Sequence, residues 1–186
     1  DAPVPWLLGH DGNRMLLAEV PGVDMYDAPL SRLFDMIDLL VGIQASWMGR
    51  VDQLRSLALP DWRGPALSAA IGDVIERTSP ELSEDDRAQL RRFADDLGER
   101  LADLESCGLP DTLIHGDFHP GNVRGTAREL VLLDWGDSGI GHPMLDLPAF
   151  LASIAREHVE PVKKRCVRAW QARLPGCEPD RAAGLI

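Results

Sequence analysis

The chain has 186 residues, of which 45% are hydrophobic, and it carries a formal net charge of −11 at pH 7. This length and apolar content are typical of one globular domain and exclude an intrinsically disordered chain. The acidic balance argues against nucleic acid as a partner, because binding to a phosphate backbone requires clustered Lys and Arg.

The first element along the chain is a predicted β-hairpin. Two short apolar runs, 4–10 and 14–20, flank Asp11-Gly-Asn13, a turn sequence whose residues tolerate positive φ angles. Pro21 and Gly22 then end the second strand.

The next three predicted elements are helices. Apolar residues at steps of three and four predict one long helix over 29–59, which Pro60 ends. A second helix begins at Pro65, a favoured first-turn residue, and runs toward Pro80. A third begins after Ser83 as the N-cap, and acidic residues in its first turn interact favourably with the helix dipole.

Short strands are predicted at 112–115, 123–124 and 130–134. Helices are predicted to resume at 146–158 and 161–174. We therefore predict an α+β fold that is mainly α-helical, in which a few short strands carry a polar loop.

That polar loop reads His115-Gly-Asp-Phe-His-Pro-Gly-Asn122, and the third short strand ends in Asp134-Trp-Gly136. Protein kinases place a catalytic Asp two residues after a His and a magnesium-binding Asn five residues further on. A second magnesium-binding Asp lies in their Asp-Phe-Gly run. The offsets are the same here, so the pattern predicts a phosphoryl-transfer site.

The side chains of this pattern suit that chemistry. Phosphoryl transfer needs an oriented hydroxyl and a divalent cation that neutralises charge on the phosphate oxygens. Asp117 can accept the hydroxyl proton as a general base. Asn122 and Asp134 supply the hard oxygen ligands that Mg²⁺ prefers. Each residue alone is also an ordinary turn residue, so the prediction rests on the whole constellation.

A second interpretation is a metal-dependent hydrolase, in which His115 and His119 bind a metal together with Asp117 and Asp134. It leaves the Asn and the Asp-Trp-Gly run unexplained, and the kinase interpretation is therefore preferred. In a kinase, His115 has a structural role and bridges the loop to the backbone near Asp134. The sequence reveals no role for His119.

At these residues the chain resembles the aminoglycoside phosphotransferase family, whose relatives include choline, homoserine and fructosamine kinases. The resemblance covers the 115–122 loop, Asp134-Trp135, and the segment Gly141-His-Pro-Met-Leu-Asp-Leu147. It implies the carboxyl-terminal lobe of a protein-kinase-like fold, with the amino-terminal lobe largely absent.

The same resemblance assigns roles to individual residues. Asp117 corresponds to the catalytic base, and Asn122 and Asp134 to the magnesium ligands. Asp146 corresponds to a buried carboxylate that braces the catalytic loop as structural support. His142 stands where the family often has Asp.

The resemblance also divides the chain. Residues 1–27 correspond to a remnant hairpin of the nucleotide-binding lobe plus the hinge, and 28–186 to the helical catalytic and substrate lobe. In the hinge, the Ala18 carbonyl and the Val20 N–H would hold the adenine of ATP or GTP.

Other parts of a kinase have no counterpart. Nothing before Val4 can supply the glycine-rich hairpin or the strand Lys, and the lysines of the chain are Lys163 and Lys164. We therefore expect a fragment that is inactive in isolation and whose parent is a kinase. The alternative is a non-catalytic, degenerate kinase-like binding module.

The acceptor is expected to be a small molecule. Gly116 replaces the Arg of phosphorylation-controlled protein kinases, and the short gap after Asp134 leaves no room for an activation segment. A hydroxylated acceptor, for example aminoglycoside-, choline- or homoserine-like, fits this pattern, and a cationic one is compatible with the acidic chain. The acceptor itself, the choice of nucleotide and the oligomeric state are not readable from the sequence.

The three cysteines, Cys107, Cys166 and Cys177, lack the short paired spacing of zinc sites or disulfide frameworks. No long apolar run and no signal peptide are present, so the sequence indicates no membrane partner. These features favour a reducing compartment, and we expect a cytoplasmic protein.

Overall fold

The structure is a computed structural model that describes residues 3–12 and 14–186. The helices are α1 Leu30–Ser46, α2 Val51–Ser56, α3 Gly64–Thr78, α4 Glu84–Glu105, α5 Leu147–Ala152, α6 Arg156–Arg173 and α7 Pro179–Leu185. The strands are β1 Leu7–Asp11, β2 Arg14–Leu17, β3 Val23–Asp24, β4 Thr112–Ile114, β5 Val123–Gly125, β6 Leu130–Leu132 and β7 Gly139–Gly141. The predicted α+β, mainly helical fold is confirmed.

The predicted N-terminal hairpin is present as β1 and β2. The two strands are antiparallel, with Asp11 opposite Arg14. Asn13, the last residue of the predicted turn, lies outside the described residues. Both strands are shorter than predicted. The first cannot extend through Pro5, because proline has no backbone N–H to donate to a strand partner.

The prediction of one helix over 29–59 is wrong. The chain leaves the helix after Ser46, and Gly49 takes a left-handed backbone conformation with φ of +72° before α2 begins. Glycine adopts this conformation without a steric penalty. The break turns α2 so that Leu54 packs against Leu113 and Ile140 of the short strands.

The helices α3 and α4, which were each predicted from an apolar pattern, pack against each other. Ser83 is the N-cap of α4, and its hydroxyl oxygen accepts a hydrogen bond of 3.2 Å from the Asp86 N–H. This cap was predicted from the sequence and is confirmed.

The predicted helix boundaries near the C-terminus are wrong. The chain breaks at Ser153 to Ala155, and α6 begins at Arg156 and continues through Pro161. Pro161 is the sixth residue of α6, where its missing N–H removes one intrahelical hydrogen bond and its ring crowds the Glu157 carbonyl. The strands β3 and β7 and the helix α7 were not predicted. Each has seven residues or fewer, too short for a periodic pattern.

The hydrophobic core lies between α1 and α6, which contact each other, and extends to the strands. Its fully buried side chains include Met36, Ile37, Phe118, Leu132, Phe150 and Trp170. Phe118 belongs to the polar loop, and its ring stacks on Phe150 of α5 at a centroid distance of 4.8 Å. The loop is therefore attached to the core by an apolar side chain.

Two small antiparallel sheets position the polar loop. One sheet has the strand order β3-β5-β6, and in the other sheet β4 pairs with β7. The loop leaves β4 and enters β5, while Asp134 follows β6. Among residues 3–12 and 14–186, no helix combines the length and apolarity needed to cross a bilayer.

Candidate active site

Gly116 allows the loop to approach the segment after β6. Its φ is +86°, and a Cβ atom at this position would lie 2.2 Å from the Asp137 carbonyl oxygen. No other residue type fits without moving the backbone. The close approach brings the start of the loop beside the single helical turn Trp135–Asp137, next to Asp134.

Asp146 holds the backbone of the same loop. Its buried carboxylate accepts hydrogen bonds from the His115 N–H at 2.9 Å and the Gly116 N–H at 2.8 Å. Burial raises the pKa of the Asp146 carboxyl, and the hydrogen bonds from these two amides act against that rise. Asp146 thus joins the start of α5 to the first two residues of the loop.

Gln44 of α1 is a further part of this network that sequence reasoning missed. Its amide nitrogen donates to Asp146 at 2.9 Å and to the Pro143 carbonyl at 3.0 Å. The Thr112 hydroxyl of β4 donates to the Gln44 carbonyl oxygen at 2.5 Å. The available signal was a polar residue within the apolar stripe of α1, after Leu40 and Val41.

His115 is fully buried, and both ring nitrogens face backbone groups. Nδ1 accepts from the Asp117 N–H at 3.3 Å, so that Nε2 carries the proton and donates to the Leu133 carbonyl at 2.7 Å. The ring also packs against Trp135 at 4.8 Å. His115 therefore bridges the loop to the backbone before Asp134.

This arrangement argues against the hydrolase interpretation. Neither nitrogen of His115 is available to a metal, because each is used in a backbone hydrogen bond. Within the described ranges, no three His, Cys, Asp or Glu side chains are grouped so that they could hold a metal ion. His142 is buried, and its Nδ1 caps the Met144 N–H instead.

Asn122 connects to the predicted base. Its side-chain nitrogen donates to the Asp117 carbonyl at 2.9 Å and to Oδ2 of the Asp117 carboxylate at 3.2 Å. The amide oxygen of Asn122 is the remaining polar atom and is free to face a cation. The Asp117 side chain is 46% exposed, so an acceptor can reach it.

The two predicted magnesium ligands lie at the same end of the paired strands β5 and β6, Asn122 just before β5 and Asp134 shortly after β6. The Leu133 N–H donates to the Asn122 carbonyl at 2.8 Å, and Asp134 is the next residue. Asp134 has a φ of +54°, a conformation that Asp tolerates better than most residues but that is still strained. One carboxylate and one amide oxygen are hard donors and fit Mg²⁺, which usually takes few protein ligands.

A groove of about 1090 Å³ lies between the hairpin and α1. Its walls include Met15 and Leu17 from β2, Ile43 and Trp47 from α1, and Asp134. Ala18 and Val20, the predicted adenine contacts, follow the end of β2 and do not line this groove. Their role stays a prediction.

The family model described as the phosphotransferase enzyme family matches residues 3–184. No curated protein matches the sequence at a significant level.

Several solved structures have a similar fold. The aminoglycoside phosphotransferase APH(3'')-Id from Streptomyces rimosus, solved with ADP and streptomycin, is 20% identical, with a TM-score of 0.60 over 100% of this chain and 75% of that one. The choline kinase from Cryptosporidium parvum is 11% identical, with a TM-score of 0.70 over 98% of this chain and 63% of that one. The macrolide 2'-phosphotransferase MphH from Brachybacterium faecium is 17% identical, with a TM-score of 0.63 over 89% of this chain and 58% of that one. At these identities the likeness shows a shared kinase-like fold, and the chain spans only part of each of these proteins.

Proposed function

Because the chain belongs to the phosphotransferase enzyme family, we propose that the protein containing it transfers the γ-phosphate of ATP or GTP to a hydroxyl group of a small molecule. The observation that carries this proposal is the placement of Asn122. Its side chain bonds to Asp117, and its backbone bonds to the residue before Asp134. Asn122 thus connects the proposed base, Asp117, with Asp134, the second proposed cation ligand.

Asp117 is the proposed catalytic base. In the transfer step, its carboxylate accepts the hydroxyl proton while the acceptor oxygen bonds to the γ-phosphorus. The bond between the γ-phosphorus and the bridging oxygen breaks, and the electron pair leaves with the nucleoside diphosphate. Asn122 and Asp134 would hold Mg²⁺, which when bound neutralises charge on the phosphate oxygens.

The family assignment also supports a division of labour along the chain. We assign 28–186 to catalysis and acceptor binding, and 1–27 to the nucleotide side, where the Ala18 carbonyl and the Val20 N–H would face the adenine. The acceptor is proposed to be a hydroxylated and cationic molecule, since the net charge of −11 favours binding of cations.

The test uses the longest natural protein that contains this chain. Purified protein is incubated with Mg-ATP or Mg-GTP and a panel of amino alcohols, amino sugars, aminoglycosides and macrolides, and acceptor-dependent release of diphosphate is measured. Asp117→Ala is expected to lower kcat by about 10²–10⁴-fold with unchanged nucleotide affinity. Asp52→Ala is the matched control, because its side chain is 98% exposed on α2.

The outcomes separate the candidate functions. If Mg-nucleotide binds but no acceptor supports turnover, the protein is a non-catalytic binding module. If neither ATP nor GTP binds, the kinase proposal is wrong. Nucleotide affinity is measured by calorimetry, independently of turnover.

A further inference from the structure

His119 lies beside the proposed base and has a defined tautomer. The Gly121 N–H donates to its Nδ1 at 3.0 Å. An Nδ1 that accepts this bond carries no proton, so the neutral ring carries its proton on Nε2. That nitrogen lies 3.5 Å from Oδ2 of Asp117. The distance is longer than a formed hydrogen bond, but catalytic contacts in ligand-free structures commonly shorten when substrate binds.

The ring of His119 is held from its other side by Tyr26. The two rings stack at a centroid distance of 5.9 Å and an interplanar angle of 24°, and the Tyr26 hydroxyl lies 3.4 Å from Nδ1. Gly121 makes this possible, because a Cβ atom there would lie 2.5 Å from the Tyr26 hydroxyl oxygen. The Met25 N–H donates to the Pro120 carbonyl at 3.0 Å and fixes the two segments together.

The donors around Asp117 are unevenly distributed. Asn122 donates to Oδ2 at 3.2 Å, and Nε2 of His119 faces the same oxygen. Within the described part of the chain, no donor bonds to Oδ1. Once the His119 contact shortens to a hydrogen bond, two donors on one oxygen restrict rotation of the carboxylate and leave the other oxygen for the substrate.

We propose that His119 is a positioning residue whose Nε2–H holds Oδ2 of Asp117, so that Oδ1 receives the acceptor hydroxyl proton. This inference rests on the proposed kinase function. It assigns His119 no contact with the phosphate groups. Its effect is on the orientation of Asp117, and it therefore acts on kcat more than on nucleotide binding.

Two substitutions at His119 separate this role from a purely structural one. In His119→Asn, the side-chain oxygen can replace Nδ1 as acceptor for the Gly121 N–H, but the donor to Asp117 is lost. In His119→Gln, the side-chain nitrogen can reach Asp117, but the acceptor near the backbone is lost. The pair therefore removes one contact at a time.

We expect His119→Asn to lower kcat about 10-fold to 100-fold, with the KM for nucleotide and the Tm close to those of the unmodified protein. We expect His119→Gln to keep kcat within a few-fold. Equal losses in both variants, no loss in either, or a larger loss in His119→Gln would each overturn the proposal.

A measurement without turnover distinguishes failure of this inference from failure of the kinase proposal. Long-range proton–nitrogen NMR of the histidine rings is expected to show His119 protonated on Nε2, with a shift that changes in Asp117→Asn but not in Asp52→Asn. A proton on Nδ1, or a shift that ignores Asp117→Asn, would overturn the positioning role even in an active kinase. The expected NMR result in a protein that transfers no phosphate would place the error in the proposed function instead.

Discussion

The N-terminal hairpin and the polar loop at 115–122 are held in place by different kinds of contact. The hairpin strands bond mainly to each other, and large apolar side chains such as Trp6 and Met15 are 70% and 73% exposed. The loop has no regular strand partner, yet His115 and Phe118 are completely buried. A buried loop needs side chains to satisfy its backbone groups, whereas a hairpin satisfies its own.

The difference shows where substitutions should matter. The loop bonds to the Asp146 carboxylate and to the Leu133 carbonyl, which are distant in sequence, and Gln44 in turn donates to Asp146. The segment before the hairpin bonds to β6 through backbone, by the 2.8 Å bond from the Leu132 N–H to the Pro3 carbonyl. Side-chain changes in the loop region should therefore be costly, and those in the hairpin mild.

The strongest test of this contrast is Asp146→Ala. The change leaves the His115 and Gly116 amides and the Gln44 side chain without their buried acceptor. We expect a loss of about 3–5 kcal/mol in the free energy of unfolding, measured by urea titration, together with loss of phosphotransfer. Asp11→Ala in the hairpin is the matched control and should change little. A loss below about 1 kcal/mol for Asp146→Ala would show that the loop holds its shape without the brace.

A pair of tryptophan substitutions compares the packing of the hydrophobic core with that of the hairpin. Trp170 is fully buried in the core, and Trp6 is mostly exposed beside the hairpin. We expect Trp170→Ala to lower the free energy of unfolding by about 3–5 kcal/mol. Trp6→Ala should change it by about 0.5 kcal/mol or less, as is usual for surface positions. Similar losses in both would mean that the hairpin is integral to the core.

The free energy of unfolding of the protein should fall in acid because of His142. Burial lowers the pKa of His142 from 6.5 to about 4. Between these pH values the unfolded chain binds a proton that the folded chain does not, so stability falls as the pH drops from 6.5 toward 4. The total effect is about 3 kcal/mol.

His142→Asn should remove this acid sensitivity, because an Asn oxygen can still cap the Met144 N–H. The difference in unfolding free energy between pH 7 and pH 4.5 is measured for both proteins. If the unfolding free energy of His142→Asn changed with pH as much as that of the unmodified protein, the acid sensitivity would belong to other groups.

The last comparison uses two matched glycines, one in the hairpin and one in the loop. Gly12 and Gly116 both have positive φ, but a Cβ at Gly12 meets open space, while one at Gly116 meets the Asp137 carbonyl. Gly12→Ala should cost only the backbone strain of about 1 kcal/mol. Gly116→Ala should cost about 1–3 kcal/mol more and reduce turnover, because the loop must move. If calorimetric unfolding showed the same loss of stability for both variants, the loop at Gly116 would be able to move away from the Asp137 carbonyl without cost.

Much of the fold was predictable from local pattern. The hairpin, the two helices before the loop and the Ser83 cap follow from turn residues and apolar spacing, which act over a few residues. The break at Gly49 was not predictable, because the apolar spacing continues through it and only the packing of Leu54 requires the turn. Likewise, Pro161 suggested a helix start but lies within α6.

The sequence by itself determined the family and the identities of the proposed reacting groups. Asp117, Asn122 and Asp134 stand at offsets that short loops and strand ends impose, so their chemistry can be read without coordinates. Only the tertiary structure decided how these groups are held. Gln44 and Asp146, 102 residues apart, meet beneath the loop, and His119 turns its Nε2 toward Asp117. The physical reason is that contacts between distant segments depend on the packing of the whole core, which no local spacing encodes.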